Sequence, residues 1–270
     1  MKMDKTKIKY LNLACGNNYI INDEWLNLDY IKKEGVQKID LLRKLPIKSN
    51  SIEAVYCSHF IEHIPAERVI FFLNECKRVL KNNGTLRIVT LDFEKMVIEY
   101  LERRESDDSE KADYMMMSII DQFVRTVPGG ELSKKIEETA NSADEDLKNY
   151  INKRSGNVIG QEIQQIAGEN QQIISRLARK IEKLYISILL NFLPSSFRNQ
   201  NVSMAEVGEL HKWIYDKHNL SQILKKVGFK KINLVDYCIS NIKHFPLSLD
   251  TDKQNKPKKG EDSIFIEAEK

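Results

Sequence analysis

The stretch KYLNLACGNNYIINDEWLNLDY, Lys9 to Tyr30, decides the fold. The first apolar run, residues 8–14, has the length and content of a short buried strand. It stops at Ala14-Cys15-Gly16-Asn17-Asn18, a turn of small residues that lets a ligand approach the backbone closely. A second run, Trp25 to Leu28, ends on a lone carboxylate, Asp29. A carboxylate at that point can accept both hydrogen bonds of a ribose diol, so the two features together read as a nucleoside site. Tyr30 is then set to lie against a purine face. Taken singly, an Asp at a strand end is as often a helix cap.

Working outward, GVQKID leads to Asp40 as a third strand, SIEAVYCSH gives a fourth ending near His59, and TLRIVTL a fifth ending before Asp92. Between the last two, AERVIFFLNECKRVLK puts Val69, Phe72, Leu73, Cys76, Val79 and Leu80 at helical spacing, and Asn82-Asn83-Gly84 turns the chain. Strand and helix in alternation predict an open α/β sheet of parallel strands with crossover helices. From Phe93 to Ala205 no strand is expected: EKMVIEYLERR is helical, ESDDSEKAD a charged break and VPGGE a turn. The α/β pattern resumes with LSQILKKVGF, a helix closed by Gly228, then KKINLVDYCI and DSIFIEAEK as an antiparallel pair joined by the polar loop LDTDKQNKPKKGED. The expected organisation is one α/β domain, 1–98 with 206–270, interrupted by a helical insertion at 99–205.

Inside the insertion, Ile163, Ile166, Ile173, Leu177, Ile181, Leu184 and Ile188 fall on one stripe, interrupted by Asn170. Such a stripe packs on its own domain, forms a homodimer seam through helix 161–190, or makes an apolar lid over the site. The most apolar run, Leu184 to Leu193, falls short of the ~20 residues of a membrane span. With Arg179, Lys180 and Lys183 beside it, peripheral contact with a membrane surface is the alternative to packing.

Hydrophobic residues at 41% and charged ones at 30% of 270 mark a soluble globular chain. A net charge of +3, without a basic stripe carrying interleaved aromatics, gives no reason to expect a nucleic-acid partner. The four cysteines show no CxxC or zinc spacing, which points to a reduced, cytoplasmic setting and no structural metal. The N-terminus is basic but lacks the apolar core of a signal peptide.

In an open α/β sheet the ligand sits at the carboxyl ends of the strands. The residues expected there are Ala14-Cys15-Gly16, Asp29, Asp40 with Leu41, Ser58-His59 and Asp92. ACGNNY is not the GxGxxG of a nicotinamide site, and no GxxxxGK[ST] occurs, so a nucleoside without phosphate fits better than a dinucleotide or nucleotide.

LNLACGNN, WLNLDY, IDLLRKLPIKSNSIEAVYCSHFIEHI and ECKRVLKNNGTLRIVTLDFE together resemble class I S-adenosylmethionine-dependent methyltransferases. They are most similar to the methyltransferase-11-type group associated with polysaccharide and sugar biosynthesis. The resemblance covers residues 8–98 and resumes over 207–269 with GELHKWIYDKHNLSQILKKVGF and DSIFIEAEK. It implies a Rossmann-like seven-stranded sheet, mostly parallel with an antiparallel last strand, and S-adenosyl-L-methionine as cofactor. Asn12, Ala14, Gly16 and Asn18 stand where the family usually has an acidic residue and three glycines. On this reading Asn12 faces the methionine amino group, Asp29 the ribose and Asp40 the adenine edge.

Methyl transfer from a sulfonium needs alignment and, for an alcohol acceptor, a base. The candidates are His59, Asp92, His211 and Tyr215, with Trp213 and Tyr215 suited to a sugar face. SHFIEHI puts His59 and His63 at i, i+4 with Glu62 between; lacking HExxH order and a third ligand, it predicts no metal, and His63 is assigned a structural role. The expected reaction is O-methylation of a sugar hydroxyl on a glycan or sugar-nucleotide precursor. The alternatives are a small-molecule (natural-product) methyltransferase and a scaffold or regulator with a vestigial pocket.

Overall fold

A computed structural model describes residues 7–156, 184–186, 188–203, 205 and 208–270. Its strands are β1 (Tyr10–Leu13), β2 (Trp25–Asp29), β3 (Val36–Lys38), β4 (Ile52–Ser58), β5 (Leu80–Leu91), β6 (Lys230–Leu234) and β7 (Ser263–Glu269). They form one seven-stranded sheet in the order β3-β2-β1-β4-β5-β7-β6. Pairs from β3 through β5 are parallel, and β7 runs antiparallel to both its neighbours, so the expected Rossmann-like sheet is present.

Alternation along each strand divides the sheet's two faces. Leu11, Leu13, Val55, Cys57, Leu86, Ile88, Ile264 and Ile266 point to one core, covered by α1 (Ala66–Val79) and a helix near the C-terminus, Lys217–Val227. Gly228 closes that second helix in the left-handed region (φ 86°), as expected. Tyr10, Ala54, Tyr56, Val89 and Phe265 face the other way, against Ile242, Phe245 and Leu249. This second face also carries Arg87, fully buried between the Phe245 and Phe265 rings and ion-paired to Asp250 and Glu267.

Three local expectations need correction. The links β1–β2, β2–β3 and β3–β4 contain no α-helix, so only α1 serves as the expected crossover helix between neighbouring parallel strands here. These links are short and rich in Asn, Gly and Pro, which favour turns over helix. The Asn82-Asn83-Gly84 turn lies inside β5 as a bulge: Asn83 has φ 62°, and pairing with β4 jumps from Ile52↔Leu80 to Ala54↔Thr85. A Cβ on Gly84 would sit 2.9 Å from the Lys81 carbonyl oxygen and 3.0 Å from that of Glu53, so the bulge needs glycine. Finally, most of the charged break ESDDSEKAD is helix. Acidic Asp108 and Glu110 suit the positive end of a helix dipole, and α3 starts at Ser109.

After β5 come α2 (Phe93–Glu105), α3 (Ser109–Val124), α4 (Gly130–Asn141) and α5 (Glu145–Ser155), then α6 (Ser195–Asn201); the helix at Lys217–Val227 is α7. Met96, Tyr114, Met115, Ile136, Leu147 and Ile151 give α2–α5 their own core, which meets the sheet through Leu91 and Ile214. The stripe from Ile163 to Ile181, with Asn170, lies outside the described residues. Its last two members, Leu184 and Ile188, are exposed, as is Phe192 beyond them. Among the described residues no helix is long and apolar enough to cross a membrane.

Candidate active site

A cavity of about 790 Å³ opens at the carboxyl ends of β1, β2 and β4. That is within the range of small-molecule sites. Ala14, Gly16, Asp29, Tyr30, Asp40, Leu41 and His59 line it, so the structure brings together most of the residues expected from sequence. His63, Phe60, Leu210, Lys212, Lys33, Ser203 and Ala205 also stand on the wall.

The end of the cavity where the sequence predicts a nucleoside is built by the turn after β1 and the tip of β2. Ala14 (φ 53°) and Gly16 (φ 54°) both take left-handed backbone. A Cβ on Gly16 would meet nothing within 4 Å, so the turn leaves open space on that side. Asp29 binds the turn directly, its Oδ2 accepting from the Gly16 N–H (2.8 Å) and its Oδ1 from the Ile31 N–H (2.9 Å). Each carboxylate oxygen can accept a further bond, which leaves capacity for a diol. Lys33 clasps the same turn, donating to the Gly16 carbonyl (3.2 Å) and to Asn17 Oδ1 (2.6 Å).

Several expected residues are placed otherwise. Asn12 is buried behind the turn and is not on the cavity wall; its amide donates to the Asn18 carbonyl (2.9 Å) and to Asn27 Oδ1 (3.3 Å), which pins the turn. Its own Oδ1 has no partner. Cys15 is buried, and burial pushes its thiol up to about 12. Asp40 lines the cavity while also capping its own turn, accepting from the Leu42 N–H (3.0 Å) and Arg43 Nε (3.0 Å). Ser58 ends β4 off the wall. Tyr30 stands 57% exposed at the mouth.

At the other end, a single 3-10 turn, Ile61–His63, follows β4. His59, in left-handed backbone at φ 48° just before this turn, meets Glu62: its Nδ1 lies 3.1 Å from Glu62 Oε1, and its Nε2 lies 3.2 Å from Ser263 Oγ. Glu62 is 1% exposed, and Thr90 Oγ1 donates to its Oε2 (3.0 Å). Burial would raise this carboxyl, but the contact with His59 and the fields of His59, His63 and His211 hold it down at about 2. It is a buried, ionised group.

The segment carrying HKWIYD returns to this turn. The Glu62 carbonyl accepts from the Lys212 N–H (2.7 Å) and the Trp213 N–H (3.1 Å), while Asp92 and Tyr215 form a short parallel bridge. His211 is 6% exposed and sits behind the wall, edge-on to the rings of His63 (4.7 Å) and Phe123 (5.7 Å). Burial first, with the like charges around it, lowers its pKa to about 4, so it is neutral. Tyr215 is 1% exposed within the main core, and Trp213 points to solvent. Asp92 caps α2, accepting from the Lys95 N–H, and borders a separate groove with Asp236 and Ser263. Of the four candidate bases, His59 alone lines the cavity.

Two groups escaped the sequence reading. Glu62 is the partner of His59, and the signal for it was the spacing of three in SHFIEHI. His63 lines the cavity, with Nδ1 donating to the Leu210 carbonyl (3.1 Å). His211 also comes beside Glu62 and His63, one nitrogen or oxygen of each lying within 4.8 Å of the others.

Residues 21–88 match the family model described as a methyltransferase domain. No curated protein matches the chain. Among solved structures it is similar to S-adenosylmethionine-dependent methyltransferases from three organisms. For that of Archaeoglobus fulgidus the identity is 12% over 99% of this chain and 88% of the other, with a TM-score of 0.40. For Thermotoga maritima the values are 14%, 97%, 82% and 0.37. For Mesorhizobium loti they are 11%, 98%, 91% and 0.36. Likenesses of this size say nothing about the acceptor. The family-model match spans Asp29, Asp40, His59 and Glu62, and it supports an S-adenosylmethionine-dependent methyltransferase, whose cofactor is S-adenosylmethionine.

Proposed function

We propose that the chain methylates a hydroxyl of a sugar-containing acceptor, with His59, oriented by Glu62, taking the proton. The observation that carries this is one cavity with Asp29 and Gly16 at its nucleoside end and His59 at its other end. The residues fit the cofactor: an acceptor carboxylate at the tip of β2, a turn open on the Gly16 side, and acidic Asp40 with Leu41 beyond β3. When bound, the cofactor supplies a methyl group activated on a sulfonium. Glu62 facing Nδ1 of His59 favours the tautomer with the proton there and leaves the Nε2 lone pair free to accept. In the resting site that lone pair meets Ser263 Oγ. With the cofactor held at the Asp29 end, the acceptor hydroxyl would take the place of Ser263 at Nε2, which would receive its proton as the methyl group is transferred.

The sugar reading rests on the family resemblance and on the wall. Lys212 lines the cavity beside the turn bearing His63, which suits a sugar carried on phosphate, as in nucleotide- or lipid-linked precursors. Ser203 and Ala205, from the 99–205 stretch, stand on the same wall, which supports reading that stretch as an insertion that shapes the acceptor end. A small-molecule acceptor is the second reading, favoured by the exposure of Tyr30 at the mouth. A screen with labelled methyl donor over sugar nucleotides, lipid-linked glycans, small phenols and tRNA separates them. Label is expected in a glycan or sugar nucleotide; label confined to a phenol or to tRNA overturns the sugar reading.

Asp29→Ala should weaken cofactor binding by about 1.5–3 kcal/mol, roughly 10–150-fold, as for hydrogen bonds to a charged group. Calorimetric titration with S-adenosylmethionine reads this directly. Equal binding by parent and variant would remove Asp29 from the site, and no heat from the parent would favour a scaffold with a vestigial pocket.

A further inference from the structure

We infer that Glu62, His63 and His211 form a binding site for a divalent transition-metal ion, the first two from the turn after β4 and the third from the returning segment. One ligand atom from each lies within 4.8 Å of the others. Two observations point to a ligand rather than to ordinary packing. His211 Nδ1 is buried without a hydrogen-bond partner on a residue 6% exposed, and the Glu62 carboxylate, 1% exposed, has only His59 Nδ1, at 3.1 Å, beside its Oε1.

The surroundings have the form of a prepared site. His63 donates from Nδ1 to the Leu210 carbonyl, which fixes its tautomer and leaves Nε2 with the free lone pair. Thr90 holds the second oxygen of Glu62, and His59 stands beside Oε1 as an outer partner of a ligating carboxylate. Arg125, whose charge also faces His211, is neutralised by Asp121 at 2.7 Å. Two imidazoles and one carboxylate suit zinc or iron(II) and not a hard ion such as calcium. Around zinc, ligand atoms sit roughly 3.3 Å apart, so closing the site takes a movement of roughly 1–1.5 Å, of the size that side-chain rotation supplies. The ion would tie residues 210–213 to the turn bearing His59, with His63 presenting it to the cavity.

The test uses the full chain stripped with a chelator, without methyl donor or acceptor, so it succeeds or fails independently of the methyl-transfer reading. Zinc(II) is titrated by calorimetry and cobalt(II) by its visible absorption. The parent should bind one ion per chain and melt at a higher temperature with zinc. His211→Ala should lose roughly tenfold or more in affinity. His218→Ala and His244→Ala, which alter exposed histidines elsewhere, should bind as the parent does. No saturable binding by the parent overturns the proposal, as does parent-like affinity in a folded His211→Ala. If His211→Ala does not fold, His63→Gln decides by the same criterion.

Discussion

His59→Asn is expected to lower kcat by about 10²–10⁴ while leaving cofactor affinity unchanged, the usual contribution of a positioned general base. Asparagine is chosen because His59 has φ 48°, and Asn tolerates that left-handed backbone, so the turn after β4 is kept. The variant still fills the wall but offers no imidazole lone pair. Glu62→Gln should fall in the same direction by less, since the imidazole stays while its tautomer and charge partner are lost. Ser263→Ala should stay near parent activity, because Ser263 only occupies Nε2 until an acceptor arrives. Single-turnover kinetics with the acceptor from the labelled-methyl screen gives all three. Full activity in His59→Asn would shift the base to a group that the structure keeps off the wall, Asp92 or Tyr215.

Arg87→Ala should destabilise the protein by about 3–5 kcal/mol, the cost of breaking a buried ion pair from one side. Arg87 is fully buried, its Nε donating to Asp250 Oδ2 (2.8 Å) and its Nη1 to Glu267 Oε1 (2.9 Å) and the Ile239 carbonyl (2.9 Å). Tyr56 adds a 2.6 Å bond to Asp250, and Ser240 and Asn241 bind Glu267. Burial pushes the Asp250 carboxyl up while Arg87 and Tyr56 pull against it, so removing the guanidinium strands the carboxylates in the core. The network clips residues 236–250 onto the second face of the sheet. Urea denaturation of Arg87→Ala should show a lowered midpoint. A triple replacement that removes all three charges, Arg87→Met with Asp250→Asn and Glu267→Gln, should recover part of the loss. A single variant as stable as the parent would show that the cluster contributes nothing net.

Much of the sheet was legible because its signals are local. Alternation in KYLNL and IFIEA, the single Asp at the tip of β2 and Gly228 past the end of α7 each follow from a few neighbouring residues. The nucleoside end of the cavity was readable for the same reason, since strand ends bring Gly16, Asp29 and Asp40 to one edge. Where the links between strands ran, and that Asn83 belonged to a bulge, depended on pairing with β4.

By itself, then, the sequence determined the α/β class, the strands and the sheet edge on which the cavity opens, since backbone preference and local apolar patterning act over a few residues. Tertiary structure decided which polar groups come together. Glu62 and His211 are far apart in the chain, and only the return of 210–213 to the turn after β4 sets them together. The same return buries Tyr215 in the core and leaves Trp213 in solvent. Asn12 turned from the expected cofactor contact into a pin for its own turn because Asn18 and Asn27 close on it. The physical reason is that a buried polar atom takes its role from whichever distant segment partners it or leaves it unpartnered, and no local pattern encodes that.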